Sequence, residues 1–161
     1  MQAQSDIETQ VAKAINLSGP RVGFTYLGNQ YTNWLNQNGS FETLFGDTLR
    51  LHPFINQFGW QFEARFFTMP DGSCGVIEFV PLIGGLDQNI ALPSLTIIVG
   101  ARLANGFEFG MGPVCSLSGS AVAYVVGQNF KSWGINFPVN LAVVPSRDGI
   151  RTTLTVGFNK K

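Results

Sequence analysis

Taken two residues at a time, the stretch 54–66 separates into two sets. Phe54, Phe58, Trp60, Phe62, Ala64 and Phe66 alternate with Ile55, Gln57, Gly59, Gln61, Glu63 and Arg65, and only Asn56 breaks the first set. A strand sends alternate side chains to opposite faces. The pattern therefore predicts a strand with one aromatic face and one face of amides and charges.

The same period of two recurs in seven more stretches. In 20–28, Val22, Phe24 and Tyr26 alternate with Arg21, Gly23 and Thr25. In 74–84, Ile77, Phe79 and Ile83 stand against Val76, Glu78 and Val80. In 94–103, Leu95, Ile97, Val99, Ala101 and Leu103 face away from Thr96, Ile98, Gly100 and Arg102. A fifth strand sets Phe107, Phe109 and Met111 against Glu108, Gly110 and Gly112. A sixth sets Val122, Tyr124 and Val126 against Ala121, Ala123, Val125 and Gly127. The seventh, 135–143, sets Ile135, Phe137, Val139, Leu141 and Val143 against Asn136, Asn140 and Ala142. The eighth sets Thr152, Leu154, Val156 and Phe158 against Arg151, Thr153, Thr155, Gly157 and Asn159.

Turn chemistry separates these stretches: Met69-Pro70-Asp71-Gly72, Ala104-Asn105-Gly106, a Ser/Gly loop at 116–120, Lys131 to Gly134, and Pro145 to Gly149. Residues 29–51 form the longest connection, read as a polar loop, with Asn38-Gly39 and a helical turn expected from Ser40 to Phe45. Before the first strand, 5–17 predicts a short amphipathic helix. Ser5 caps it with Glu8 in a capping box, Ile7, Val11, Ala14 and Ile15 share a face, and Gly19-Pro20 ends it. The division is a segment 1–19 and a β domain 20–161.

An eight-strand meander fits a soluble sandwich or lipocalin-like barrel with its apolar set inside. It also fits a membrane barrel with its apolar set outside. The polar set decides. A water-facing strand surface disfavours Gly, yet this set holds Gly23, Gly59, Gly100, Gly110, Gly112, Gly127 and Gly157. Small residues suit a crowded lumen. The same set carries Arg21, Glu63, Arg65, Glu78, Arg102, Glu108 and Arg151, three acids and four bases. Near-balance is what buried charges require, because buried charges must be paired. The apolar set supplies the lipid face, with Phe58, Trp60, Phe62, Phe66, Phe107, Phe109 and Phe137.

Composition agrees. Only 12% of the 161 residues are charged, about half the ordinary share of roughly 25%. Ten acids balance ten bases, which gives no pull towards nucleic acid or an anionic surface. No apolar run reaches the ~18 residues of a spanning helix. The start, Met-Gln-Ala-Gln-Ser, is not a secretion signal. It fits either a cytosolic chain or a mature one whose signal peptide has been removed, and the membrane-barrel reading selects the second. Cys74 and Cys115 have no metal-ligand spacing. The meander sends them to opposite ends of the barrel, so no intrachain disulfide is expected.

The pattern over 20–159 resembles the small eight-stranded outer-membrane β-barrels of Gram-negative bacteria, the architectural class of the OmpA membrane domain, OmpX, PagP and PagL. The resemblance lies in pattern and not in a diagnostic motif, so it carries over no active-site residue. Phe158 is similar to the terminal aromatic of the outer-membrane assembly signal, although Asn159-Lys160-Lys161 follow it here. The resemblance implies an all-β, eight-stranded antiparallel up-and-down transmembrane barrel in the bacterial outer membrane. It implies a monomer whose partner is the lipid bilayer or a detergent. The turns near 69–73, 104–106 and 131–134 would face the periplasm.

Four constellations are candidates for chemistry. Arg21, Glu63, Arg65, Glu78, Arg102 and Glu108 fall in the periplasmic half of the lumen, as a salt-bridge plug or as an ion path. Val80, Leu82, Ile98, Val114, Ala123 and Val125 face the upper lumen, as plain packing or as a slot for a small apolar ligand. Pro81, Pro113 and Pro138 lie inside strands that need a ladder donor. They imply bulges or a local opening between strands. His52, with Ser40 or Ser146 and Asp47 or Asp148, would form a hydrolytic triad only if the outer rim gathers them. The leading expectation is a non-enzymatic outer-membrane barrel, structural, adhesion-like or ligand-binding, with a closed lumen and no metal or cofactor. The alternatives are a lipid A or phospholipid deacylase or acyltransferase using His52, a narrow pore, and a soluble lipocalin-like barrel.

Overall fold

The computed structural model describes residues 16–38, 50–147 and 149–160. The helix expected over 5–17 therefore falls almost wholly outside the described residues, as do the turn Ser40 to Phe45, Asp47 and Asp148. Eight strands follow in chain order: β1 (Gly19–Leu27), β2 (Phe54–Thr68), β3 (Cys74–Gly84), β4 (Leu92–Arg102), β5 (Phe107–Ser116), β6 (Gly119–Ser132), β7 (Ile135–Ser146) and β8 (Gly149–Gly157). Each pairs antiparallel with the next, and β1 pairs with β8, from Arg21 opposite Gly157 to Leu27 opposite Arg151. The sheet is thus a closed eight-stranded up-and-down barrel. A two-residue strand β9 (Asn159–Lys160) continues the β8 edge along the start of β7.

The alternation in the sequence is the alternation of the wall. Along β2, Phe58, Trp60, Phe62 and Phe66 are exposed, while Gln57, Gln61 and Glu63 are buried. Along β1, Phe24 is 64% exposed and Arg21 only 1%. The outside of the barrel is apolar, and the inside holds the charges and amides together with an aliphatic stretch around Val80, Leu82, Ile98 and Val125.

Tight turns close the hairpins. Trp133 and Gly134 join β6 to β7 with φ of 49° and 76°, the twin left-handed pair of a type I′ turn. Leu117-Ser118 joins β5 to β6, where the sequence suggested a longer Ser/Gly loop. In the β2–β3 turn, Asp71 accepts from the Ser73 amide at 3.0 Å and the Ser73 hydroxyl at 2.9 Å. Those bonds hold its carboxyl below the usual carboxylate range.

The prolines do not produce bulges. Gly59 stands opposite Leu82 and Phe62 opposite Phe79 in one unbroken register, and only the pairs around Pro81 are missing from the ladder. The same happens around Pro113 between β4 and β5. Between β7 and the β8–β9 edge it happens around Pro138. A missing donor costs rungs on one side of a strand and leaves the other side paired: Pro81 still faces Leu95, Pro113 faces Val122 and Pro138 faces Asn129. The register shift of the β2–β3 ladder lies elsewhere, between Arg65 and Phe67. There Phe66 and Phe67 both point outward, their rings edge to face at 5.1 Å.

One element differs from the sequence reading. Inside the connection expected to be a polar loop, Asn29–Asn38 forms a helix, α1. It caps the end of the barrel where the connections after β1, β3, β5 and β7 gather. Leu27, Tyr31, Leu51, Ile55 and Ile90 make a buried apolar cluster there, with Trp34 and Leu92 against it. Gly149 admits the cap. Its φ is 128°, and a Cβ at that position would stand 2.9 Å from the Tyr31 amide nitrogen. Gly149→Ala is expected to lift α1 off the rim. Limited proteolysis should then cut the 28–53 connection faster than in the parent, while the barrel's far-UV circular dichroism stays the same.

Candidate functional site

The lumen holds two separate polar regions. The first lies at the end where the turns after β2, β4 and β6 meet. Arg102, on the last residue of β4, reaches across the lumen. Its Nη1 and Nη2 donate to Glu63 at 2.9 and 2.5 Å, its Nε donates to Glu108 at 2.7 Å, and Nη2 stands 3.4 Å from Glu78. Glu63, Glu78 and Glu108 are all buried. Three carboxylates from three strands thus share one guanidinium. Such a group is held only by good geometry, because removing charges from water costs several kcal/mol per ion.

Arg21 joins the network through an amide. Its Nε donates to Gln61 Oε1 at 3.0 Å, and Gln61 Nε2 donates to Glu78 in a very short contact. Its other nitrogens are spent on carbonyls of Leu17, at 2.7 Å, and Pro20, at 3.1 Å. The lumen glycines make the room. A Cβ on Gly157 would stand 2.1 Å from Arg21 Nη1, and one on Gly127 2.1 Å from Asn140 Oδ1.

The chain entering β1 seals this mouth. The Leu17 amide donates to Glu63 Oε2 at 3.2 Å, the Ser18 hydroxyl accepts from the Glu63 amide at 2.9 Å, and Asn159 Nδ2 donates to the Ser18 carbonyl at 2.5 Å. Leu17 is 2% exposed. Gln61, Ser18 and Asn159 are members of this site that a reading of charges alone passes over. Gln61 is visible in the sequence only as an inward position next to Glu63.

The second region lies under the cap. Two adjacent cavities, of about 70 and 60 Å3, share Thr25, Gln57, Ser94 and Arg151 in their walls. The deeper is walled by the buried cluster Val80, Leu82, Ile98 and Val125. Leu82 and Ser94 also line a groove on the outer wall beside Pro81.

Each candidate has a place. Arg21, Glu63, Glu78, Arg102 and Glu108 come together. Arg65 sits half-buried at the β2 bulge beside them. Arg151 does not join them: it pairs with Leu27 and Val144 near the other mouth, below α1. Phe58, Trp60, Phe62, Phe66, Phe107 and Phe109 are exposed on the outer wall, and Phe137 is half-exposed. His52 is exposed on the cap, where its amide donates to Gln88 at 2.8 Å. Ser146 donates to the Gly149 carbonyl at 2.8 Å. Ser40, Asp47 and Asp148 lie outside the described residues, and the described ones assemble no triad. Cys74 is buried and Cys115 exposed, both as free thiols. They pair with Arg102 and Leu95 of β4, some seven positions and roughly 23 Å apart along that strand. Among the described residues no cluster of His, Cys, Asp or Glu is arranged to hold a metal ion.

Arg102→Met is expected to lower the unfolding free energy by about 3–5 kcal/mol, since it leaves buried carboxylates facing one another. Adding Glu78→Gln should recover part of the loss. Urea unfolding followed by tryptophan fluorescence measures both. Equal stability of R102M and the parent would deny the network its structural role.

Known proteins add little to this geometry. No family model matches the chain, and no solved structure matches it. A protein of Synechocystis sp. (strain ATCC 27184 / PCC 6803 / Kazusa), named "Putative ammonium transporter sll0537", is 26% identical over 156 residues, covering 92% of this chain. The chain spans 27% of the length of that relative.

Proposed function

We propose that the chain is a bacterial outer-membrane barrel, monomeric and non-enzymatic, with a lumen closed to ions and a small-ligand cavity under its outer cap. The observation that carries this reading is the inverted polarity of the wall. Arg21, Gln61, Glu63, Glu78, Arg102 and Glu108 are buried, while Phe24, Phe54, Phe58, Trp60, Phe62, Phe66 and Phe109 are each between 46% and 64% exposed. A monomer in water rarely exposes an apolar patch above a few hundred Å2. Here the exposed apolar rows run around the whole barrel. A lipid-facing band of the usual height, about 25 Å, is the solvent such a wall fits. No described helix is long and apolar enough to cross a membrane, which says nothing about strands.

The closed lumen follows from packing. Eight strands leave an interior just wide enough for side chains to fill. At one mouth the Arg102 network and the 16–18 segment fill it. At the other, α1 is tied across the opening by the Tyr31 hydroxyl, which meets the Ser118 hydroxyl in a very short contact. The transport activity in the relative's name belongs to a protein roughly three and a half times as long, and the filled lumen argues against an ammonium path through this barrel.

Two measurements test the reading. The purified chain should require detergent to be monodisperse and should show heat-modifiable gel mobility after folding into it. Monodispersity without detergent would overturn the membrane assignment. In planar bilayers the barrel should give no stable open level, and a steady single-channel conductance would overturn the closed lumen.

A further inference from the structure

Two buried polar atoms of opposite kind in the walls of the cavities beneath α1 have no hydrogen-bond partner among the described residues. Gln57 is 8% exposed; its Nε2 donates to Thr25 Oγ1 at 2.7 Å, and its Oε1 has no partner. Arg151 donates through Nη1 to Ser116 Oγ at 3.2 Å and lies 5.3 Å from the Tyr31 ring centroid, and its Nε is buried without a partner. Both residues line both cavities. Among the described residues no carboxylate pairs with Arg151, in contrast to Arg102 at the other mouth. A buried polar atom left unbonded costs about 1–3 kcal/mol. One orphan is an acceptor and the other is a donor on a cation.

The remaining wall is mostly apolar, with Thr96, Asn140, Thr153 and Thr155 as further polar lining of the deeper cavity. Val80, Leu82, Ile98 and Val125 close the deep end, and Arg151 also lines an open cleft at the rim beside Ser118 and Ser146. A water needs about 10–15 Å3 of such space. Cavities of 70 and 60 Å3 thus hold a chain of about ten heavy atoms by the same measure. An anionic head at the mouth, a hydroxyl one or two carbons in and a short alkyl tail would satisfy both orphans and fill the apolar end.

We propose that this cavity binds a medium-chain hydroxy fatty acid. Its carboxylate accepts from Arg151, its hydroxyl donates to Gln57 Oε1, and its tail packs on Val80, Leu82, Ile98 and Val125. The proposal rests on the ligand-binding reading of the upper lumen and is independent of whether lipid surrounds the wall.

The test is calorimetric titration of the full chain with 3-hydroxyoctanoate, octanoate, octanol and octylamine. Maltoside micelles are used if the chain needs them and buffer alone if it does not, so the membrane assignment is read separately. Octanoate should bind, octanol and octylamine at least about tenfold more weakly, and 3-hydroxyoctanoate about tenfold more tightly than octanoate. Arg151→Gln should weaken both acids by about 10- to 100-fold. Gln57→Leu should erase the preference for the hydroxy acid and leave octanoate binding in place. Ala123→Phe, which fills the cavity, should abolish binding while circular dichroism shows the barrel intact. If octanol binds as well as octanoate, or Arg151→Gln changes nothing, the head-group assignment is overturned. If Ala123→Phe binds like the parent, the cavity itself is not the site. Failure of every ligand to bind overturns the proposal whole.

Discussion

A single guanidinium, that of Arg102, organises one end of this molecule. It stands at the end of β4 and binds carboxylates carried by β2, β3 and β5. A contact of this kind fixes strand order as well as energy, because the three acids must arrive at one height in the lumen. Glu63 lies opposite Glu78 across the β2–β3 ladder, and Arg102 lies opposite Glu108 across β4–β5. A slip of one residue in either ladder would send a charge through the wall to the apolar face. The polar lumen thus enforces register as a hydrophobic core does elsewhere, with a steeper penalty for error. The glycines follow from the same constraint. Arg21 lies over Gly157 and Asn140 over Gly127, so large polar groups fit only where the facing strand has given up its side chain.

The strands were legible because a closed barrel buries one face of every strand and exposes the other, and that imprints a period of two on the whole length. Their inside and outside were legible for a chemical reason: Gly and balanced charge in one set, Phe and Trp in the other. The helix α1 was not legible. Asn29-Gln30-Tyr31-Thr32-Asn33-Trp34-Leu35-Asn36-Gln37-Asn38 is rich in Asn, a poor helix former. Its helicity depends on the tertiary seat of Tyr31 against Leu27, Ile55 and Ile90, and the last two come from residues far along the chain.

The candidate site was legible by residue type and, through strand direction, in the grouping of Arg21, Glu63, Arg65, Glu78, Arg102 and Glu108 at one end. Seven lumen charges could be named from alternation alone. That Arg151 belongs to the opposite mouth depends on how far along β8 it sits, which strand direction sets and the inward alternation does not. The amides were placed on the inner face by the same alternation, but their roles were not legible. Gln57 and Gln61 carry no charge, so a balance of acids and bases does not see them. Yet Gln61 links Arg21 to Glu78, and Gln57 holds the orphan acceptor of the upper cavity.

The prolines show how a barrel accommodates a residue that a sheet interior normally rejects. Pro81, Pro113 and Pro138 each remove rungs on one side while the register continues unchanged beyond them. The cost stays local because a closed sheet is held from both directions: each interrupted ladder is bridged by intact pairing on the proline's other flank. Two of these interruptions flank the β3–β4 pair, whose inner face supplies Val80, Leu82 and Ile98 to the cavity. The wall is least tightly laddered beside its most apolar interior. The charged end, where loss of register would be most costly, keeps Arg102 and Glu108 directly paired across β4 and β5.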